Sequence, residues 1–393
     1  MFEKITFTTQ DKTSITYPIN IGHLVECMLF YKKTHVIADQ GILKQLLNYF
    51  GVNNLLRLIE LDVLDITYTD SFMGIYSQTV SGSQFHNVVD MNSPQNKYED
   101  VLRRQCIEIE GKSGKGKRQA NKIQDKINVI THDPVIIEGS TNSILSQEYV
   151  LASAKTSLQI RLKLKNIPDI EFNTENTING IQIHTNINFL EVNEIYHMFV
   201  SPSHSTITPA LILSDIMELE RDLYFSSKNL SEIAASPISS ELAQKKFSYI
   251  FDISKNNNLK IECFSELLFN DVKDIQNAVN SKKINLSELL DLIEGSIKFK
   301  EWLRSINPDL DLFKQYHDAI TKESFFEKLP AKTVRFCIFT GLGMASDGVI
   351  GGGLGTSAGI ALGSLDTFIL DKLINGWKPN HFIDGKVKPL IAP

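Results

Sequence analysis

Residues 35–68 read HVIADQGILKQLLNYFGVNNLLRLIELDVLDITY, and the order of signals within them decides the fold class. His35-Val36-Ile37-Ala38 is a short run of buried-strand type. Asp39 follows at the position where a carboxylate can accept from the first free N–H groups of a helix. Ile42, Leu46, Leu47 and Phe50 then share one helical face until Gly51 interrupts it. Residues 52–60 predict a second helix, and Leu64-Asp65-Ile66-Thr67-Tyr68 returns to strand. Strand, helix, helix and strand in that order predict alternating α/β architecture.

The same reading extends toward both ends. Ile5 and Phe7, then Ile15 and Tyr17, alternate as half-buried strands do. Residues 20–31 place Ile21, Leu24, Met28 and Leu29 at helical spacing. Further on, Leu158, Ile160, Leu162 and Leu164 alternate with Gln159, Arg161, Lys163 and Lys165, which predicts a two-faced strand. Ile181, Ile183 and Ile187 repeat that pattern around His184, while residues 91–104 and 111–126 read as loops or exposed helix.

From about residue 189 the period becomes helical. Thr208-Pro209 forms a cap and first-turn pair ahead of Ile212, Ile216, Leu219 and Leu223. Asn285 and Glu288 suit a capping box, with Leu286, Leu289, Leu290, Ile293 and Ile297 as the apolar stripe behind it. The expected fold is therefore α+β or α/β. It has a mixed-sheet N-terminal half and a predominantly helical C-terminal half that ends in a glycine-rich helical hairpin. The expected divisions are an α/β domain over 1–100, a β-rich segment with a basic loop over 101–188, a helical domain over 189–330, and the hairpin and tail over 331–393.

Residues 336–365 carry one charge, Asp347, and within them Gly351, Gly355, Gly359 and Gly363 recur every four residues. On a helix this spacing lines up four positions without Cβ, so a second helix can approach closely. Each glycine costs a helix about 1 kcal/mol relative to alanine, a loss that close packing would offset. The residues from Val334 to Ala345 form the first arm, Ser346-Asp347-Gly348 the turn, and Gly376 with Pro379 the stop. Two uses compete, a tightly packed core element and a membrane-inserting seam. Against the second stand a short first arm and the acids Asp347, Asp366 and Asp371. A glycine-rich ligand loop is the third use.

Bulk properties narrow the classes. A chain of 393 residues, 42% hydrophobic and 22% charged, can bury two or three ordinary cores. Its net charge of −6 supplies no overall basic field for nucleic acid. The first residues lack a basic start followed by an apolar run, so no secretory leader is expected. Cys27, Cys106, Cys263 and Cys337 lie far apart, a pattern of reduced thiols in a cytoplasmic protein rather than of zinc ligands.

Candidate chemistry is sparse. Gly111 to Arg118 contains the G-x4-G-K spacing of a phosphate loop, but Arg118 stands where Ser or Thr would hold magnesium. Lys112, Lys115, Lys117 and Arg118 still form a basic cluster able to meet phosphate or an anionic surface, without aromatics for stacking on bases. The plainer reading is a solvated loop. Glu108, Glu110 and Lys112 fit the E-x-K strand end of metal-dependent nucleases, with Cys106 to Glu110 as the strand and Asp90 or Asp100 as an upstream acid. Glu191, Glu194 and His197, with Asp215, Glu218 and Asp222 on the next helix, have metal-binding types but lack a second E-x-x-H. They read as the wet faces of two helices. No nucleophile elbow, zinc-protease helix or kinase signature is present.

The residues thus predict no metal and no cofactor. They point to a non-enzymatic, partner-binding or assembly protein. Its glycine seam would mediate self-association or conditional membrane contact, with a membrane-damaging effector as one concrete form. The expected partners are another protein or further copies of this chain, nucleic acid being disfavoured. The alternative is a nuclease or phosphoryl-transfer enzyme built on Glu108, Glu110 and Lys112.

Overall fold

The structure is a computed structural model and describes residues 4–9, 18–92, 97–201, 204–229, 231–236, 238–243, 245–246, 279–282, 285–304 and 335–336. The fold is α+β, built on two sheets of different kind. The first contains β1 (Lys4–Phe7), β2 (Lys33–Ala38), β3 (Leu64–Thr69), β6 (Asn128–Ile130), β9 (Glu232–Ala234) and β10 (Arg335–Phe336), in the order β10-β9-β1-β2-β3-β6. All neighbours are parallel except β10, which runs antiparallel to β9. The second sheet is antiparallel, with β4 (Ser71–Val80), β5 (Ser83–Asn92), β7 (Phe172–Thr177) and β8 (Gly180–Thr185) in the order β4-β5-β8-β7.

The 35–68 segment folds as its residues predict. Asp39 Oδ1 accepts from the Ile42 N–H at 2.8 Å and caps α2 (Gln40–Glu60). Gly51 breaks that helix with φ 69 and ψ 160, a left-handed value that glycine adopts without strain. Ile5, Phe7, Val36, Ala38, Leu64, Ile66 and Tyr68 face one core. It is closed by α1 (Ile21–Phe30), α2, α3 (Tyr98–Glu110), α4 (Ser113–Ile123) and α9 (Leu286–Arg304). Arg57 of α2 pairs with Asp291 at 3.5 Å and with Glu294, both on α9.

The opposite face of the parallel sheet meets α8 (Pro209–Asn229), which Thr208 opens by accepting from the Leu211 N–H at 3.2 Å. Ile37 and Ile233 pack there with Met217, Leu219, Leu223 and Phe225. The first turns of α8 belong to another core. Ile212, Leu213 and Ile216 meet α6 (Gln147–Arg161), β7, β8 and Tyr196 of α7 (Phe189–Tyr196). A single helix therefore touches the cores of both sheets. α5 (Pro134–Leu145) packs beside it.

Two segments differ from their expected form. Leu158 to Leu164, expected as a strand, is the end of α6 and its exit. Val150, Ala154 and Leu158 are buried at four-residue spacing, and this upstream period outweighs the four-residue alternation. The chain leaves the helix at Lys163, with φ 54. Residues 101–188, expected to be β-rich, hold α3, α4, α5 and α6 beside three short strands. Except for Arg335 and Phe336, the expected glycine-rich hairpin and its seam, Gly351, Gly355, Gly359 and Gly363, lie outside the described residues.

The crossing of α3 and α4 depends on one small residue. A Cβ on Gly116 would sit 2.5 Å from the Ile107 Cα, and that backbone cannot rotate away. Gly116→Ala is expected to force the helices apart and cost about 1–3 kcal/mol, read as a lower urea midpoint.

Candidate functional site

In open parallel sheets the crevice outside the carboxyl ends of the strands is the usual place for ligands. Here the chain leaves β2 at Asp39, β3 at Asp70 and β6 at His132-Asp133. All three acids are occupied by backbone. Asp70 Oδ1 accepts from the first N–H of α3, that of Tyr98, at 2.8 Å. Asp133 Oδ1 caps α5 through the Val135 N–H at 3.1 Å, while the Tyr224 hydroxyl donates to Asp133 Oδ2 at 2.8 Å. Each carboxylate stabilises a helix start in which partial positive charge collects.

His132 is the exception at this edge. Its Nδ1 lies 3.1 Å from Asp90 Oδ1 and 2.8 Å from Ser71 Oγ. A carboxylate only accepts, so the ring proton sits on Nδ1 and Nε2 carries a lone pair. That Nε2 is buried and has no hydrogen-bond partner among the described residues. Phe225 covers the ring at a centroid distance of 6.2 Å, and Arg221 precedes it by one turn of α8. Burial holds the His132 pKa below its ordinary value, helped by the Arg221 charge and opposed by Asp90. Burial thus favours the neutral imidazole. This tautomer is that of a general base, but Ser71 shares Nδ1 with the aspartate instead of facing Nε2. The trio therefore lacks the geometry of a serine nucleophile and its base.

The rest of α8 is lined with buried charge. Arg221 lies 3.4 Å from Asp222 and 3.8 Å from Glu218. Burial opposes its charge, yet Glu218, Asp222 and Asp39 keep its pKa above the usual value. At the preceding residue of α8, Glu220 lies 3.2 Å from Lys246 Nζ, which donates to Ser143 Oγ at 2.8 Å. The Ser143 hydroxyl donates to Glu220 Oε1 at 2.7 Å. Nearer the start, Arg161 grips Asp215 through both nitrogens, at 2.5 and 2.9 Å, and Ser157 donates to the same carboxylate at 2.6 Å.

These contacts overturn the wet-face expectation for Asp215 and Asp222, which are 2% and 1% exposed. Each faces an arginine. Glu191 and Glu194 are exposed on α7, and His197 is the residue that ends it. Among the described residues no group of three His, Cys, Asp or Glu side chains is placed to hold a metal ion.

The nuclease pattern loses its strand. Cys106 to Glu110 is the last turn of α3, where Glu108 pairs with Lys44 at 3.2 Å and Glu110 with Lys115 at 2.5 Å. Asp90 belongs to His132, and Asp100 lies 3.9 Å from Arg103 on its own helix. The basic loop is also helical. Lys112 precedes α4, and Lys115, Lys117 and Arg118 are exposed on it. Gly111 ends α3 in a left-handed turn and Gly116 is buried within α4, so the G-x4-G-K residues form a helix rather than a phosphate loop. Cys27 and Cys106 are buried thiols, and burial with Glu110 nearby pushes Cys106 up to about 11.

No family model, curated protein or solved structure matches this chain. Its chemistry is legible only from its own geometry. No local pattern marks His132, Ser143 or Lys246, and Arg161 reads only as the polar face of a strand. A signal for Arg221 was present: α8 is apolar on several faces, with Leu213, Met217 and Phe225 beside the Ile212-Ile216-Leu219-Leu223 stripe. A helix of that kind is enclosed, and its charges must be enclosed with it.

Two outcomes follow. Asp215→Ala leaves the buried Arg161 charge uncompensated and is expected to cost about 3–5 kcal/mol in urea unfolding, with the Arg161→Met/Asp215→Leu pair recovering much of it. His35, His86 and His132 all have pKa values lowered chiefly by burial. The unfolded chain therefore binds more protons below about pH 6.5, and stability is lost as pH falls through that value. His132→Asn is expected to flatten that decline in a pH series of melting curves.

Proposed function

We propose that the chain is a non-enzymatic binding and assembly protein. In this reading the α+β body is the platform, and the glycine-rich C-terminal segment provides self-association or conditional membrane contact. The observation that carries it is the position of β10. Arg335 and Phe336, which lead into the glycine-rich stretch, pair with Ala234 and Ile233 at the edge of the parallel sheet. An apolar segment attached directly to a sheet edge can respond to what happens in the body.

Two further facts support this reading. No helix among the described residues is long and apolar enough to cross a membrane, so membrane contact would belong to the glycine-rich segment. The buried charges of α8 are each matched by a structural partner, as a scaffold requires.

The test uses the full chain and the Gly355→Leu/Gly359→Leu variant, compared by sedimentation and by flotation with anionic liposomes. The seam predicts that bulky side chains abolish association or flotation while the melting curve of the body stays in place. Identical behaviour of the two chains in both assays would remove the seam from the account.

A further inference from the structure

α4 is held in the fold against the preference of its own outer face. It buries Gly116, Gln119, Ala120 and Ile123, while Lys115, Lys117, Arg118 and Lys122 are exposed on it. Lys112 just before it and Lys126 just after it are exposed as well. Asp125 is the one acid between residues 111 and 127. Lys115, Arg118, Lys122 and Lys126 follow at spacings of three, four and four, so they form one stripe. Like charges at those spacings destabilise a helix. The start of the helix adds to the cost. Its first turn holds no acid, Lys112 gives no side-chain cap, and cations stand where the helix dipole is already positive.

Little inside the protein offsets this charge. Lys115 pairs with Glu110 at 2.5 Å, and Lys122 donates to Asn53 Oδ1 at 3.3 Å. The side chains of Lys112, Lys117, Arg118 and Lys126 make no hydrogen bond or ion pair among the described residues. Local rules broken without compensation inside the fold mark functional positions.

We propose that this outer face docks on an anionic lipid bilayer. Its charge selects the partner. A second copy would present the same cations and be repelled, and residues 336–365, with one charge, offer no complement. A nucleic acid would also meet the cations, but α4 has no aromatic side chain to stack on a base. The chain as a whole carries −6, which opposes the approach of a long polyanion. A bilayer meets only the face turned toward it, and the acidic remainder of the chain then points away. Clusters of about four to eight Lys and Arg on a helix are the usual means of holding anionic headgroups. This one has six. Each cation near such a surface contributes about fivefold in affinity, which gives reversible attachment. Stable attachment takes a second signal. The glycine-rich segment supplies that signal in the function proposed above, and this clause rests on that reading; the basic contact does not.

The test floats the full chain with vesicles of phosphatidylcholine alone and with vesicles that also contain phosphatidylserine. The Lys117→Gln/Arg118→Gln/Lys126→Gln variant removes three charges that have no partner among the described residues. The parent is expected to bind the phosphatidylserine vesicles more tightly and to be released as salt rises. The triple variant is expected to bind them about a hundredfold less tightly. Its melting temperature is expected to stay level or rise, because like-charge repulsion is relieved. The Gly355→Leu/Gly359→Leu chain is expected to keep the salt-sensitive contact, which separates this face from the seam. Equal binding of parent and triple variant to phosphatidylserine vesicles overturns the proposal whatever the seam variant does. A parent that ignores the vesicles but shifts duplex DNA, with the shift lost in the triple variant, overturns it too and makes the face a nucleic-acid surface.

Discussion

The fold depends on placing charge inside α8, a helix most of whose circumference is enclosed. α8 lies between the parallel sheet, the antiparallel sheet and the helices α5 and α6, and apolar contact on that scale buries most of the residues it carries. Asp215, Glu220 and Asp222 are buried for that reason and Arg221 is half-buried beside them, and each is matched: Asp215 by Arg161, Glu220 by Lys246 and Ser143, and Arg221 by Glu218 and Asp222. Removing such charges from water costs several kcal/mol per ion, and their attraction returns the loss only when geometry and hydrogen bonding are complete. The bidentate Arg161–Asp215 pair with its Ser157 donor meets that condition. The gain is specificity of position, because α8 sliding by one turn would strand all of these charges at once.

The carboxyl edge of the parallel sheet illustrates the same economy. In many α/β proteins that edge is left open for a ligand. Here Asp39, Asp70 and Asp133 are each given to the start of a helix, and His132 is fixed by Asp90 and Ser71 beneath Phe225. The groups that resemble catalytic residues by type are engaged as parts of the frame.

The sequence was most readable where one residue sets a local conformation. The Asp39 cap, the Gly51 break and the Thr208-Pro209 start depend on hydrogen bonds or dihedral angles within a few residues, and all appear where expected. It was least readable where distant segments decide. Leu158 to Leu164 alternates as a strand does, but its upstream turns pack on α8 and keep it helical. Cys106 to Glu110 has the residues of a nuclease strand, yet it continues a helix whose buried side began at Tyr98 and Val101. For the site, the acids on α8 are visible as residue types, but their burial is set by other segments. Asp215 meets Arg161 from 54 positions away and Glu220 meets Ser143 from 77, beyond any local pattern.

If α8 is the element on which both sheets depend, its backbone should open only when the whole body unfolds. Native-state hydrogen exchange of the full chain, resolved by peptide, measures this directly. The account predicts that amides in residues 212–226 exchange as slowly as those of β2 and β3, with the same dependence on denaturant. Exchange of α8 through a separate, lower-energy opening while β2 and β3 stay protected would contradict it.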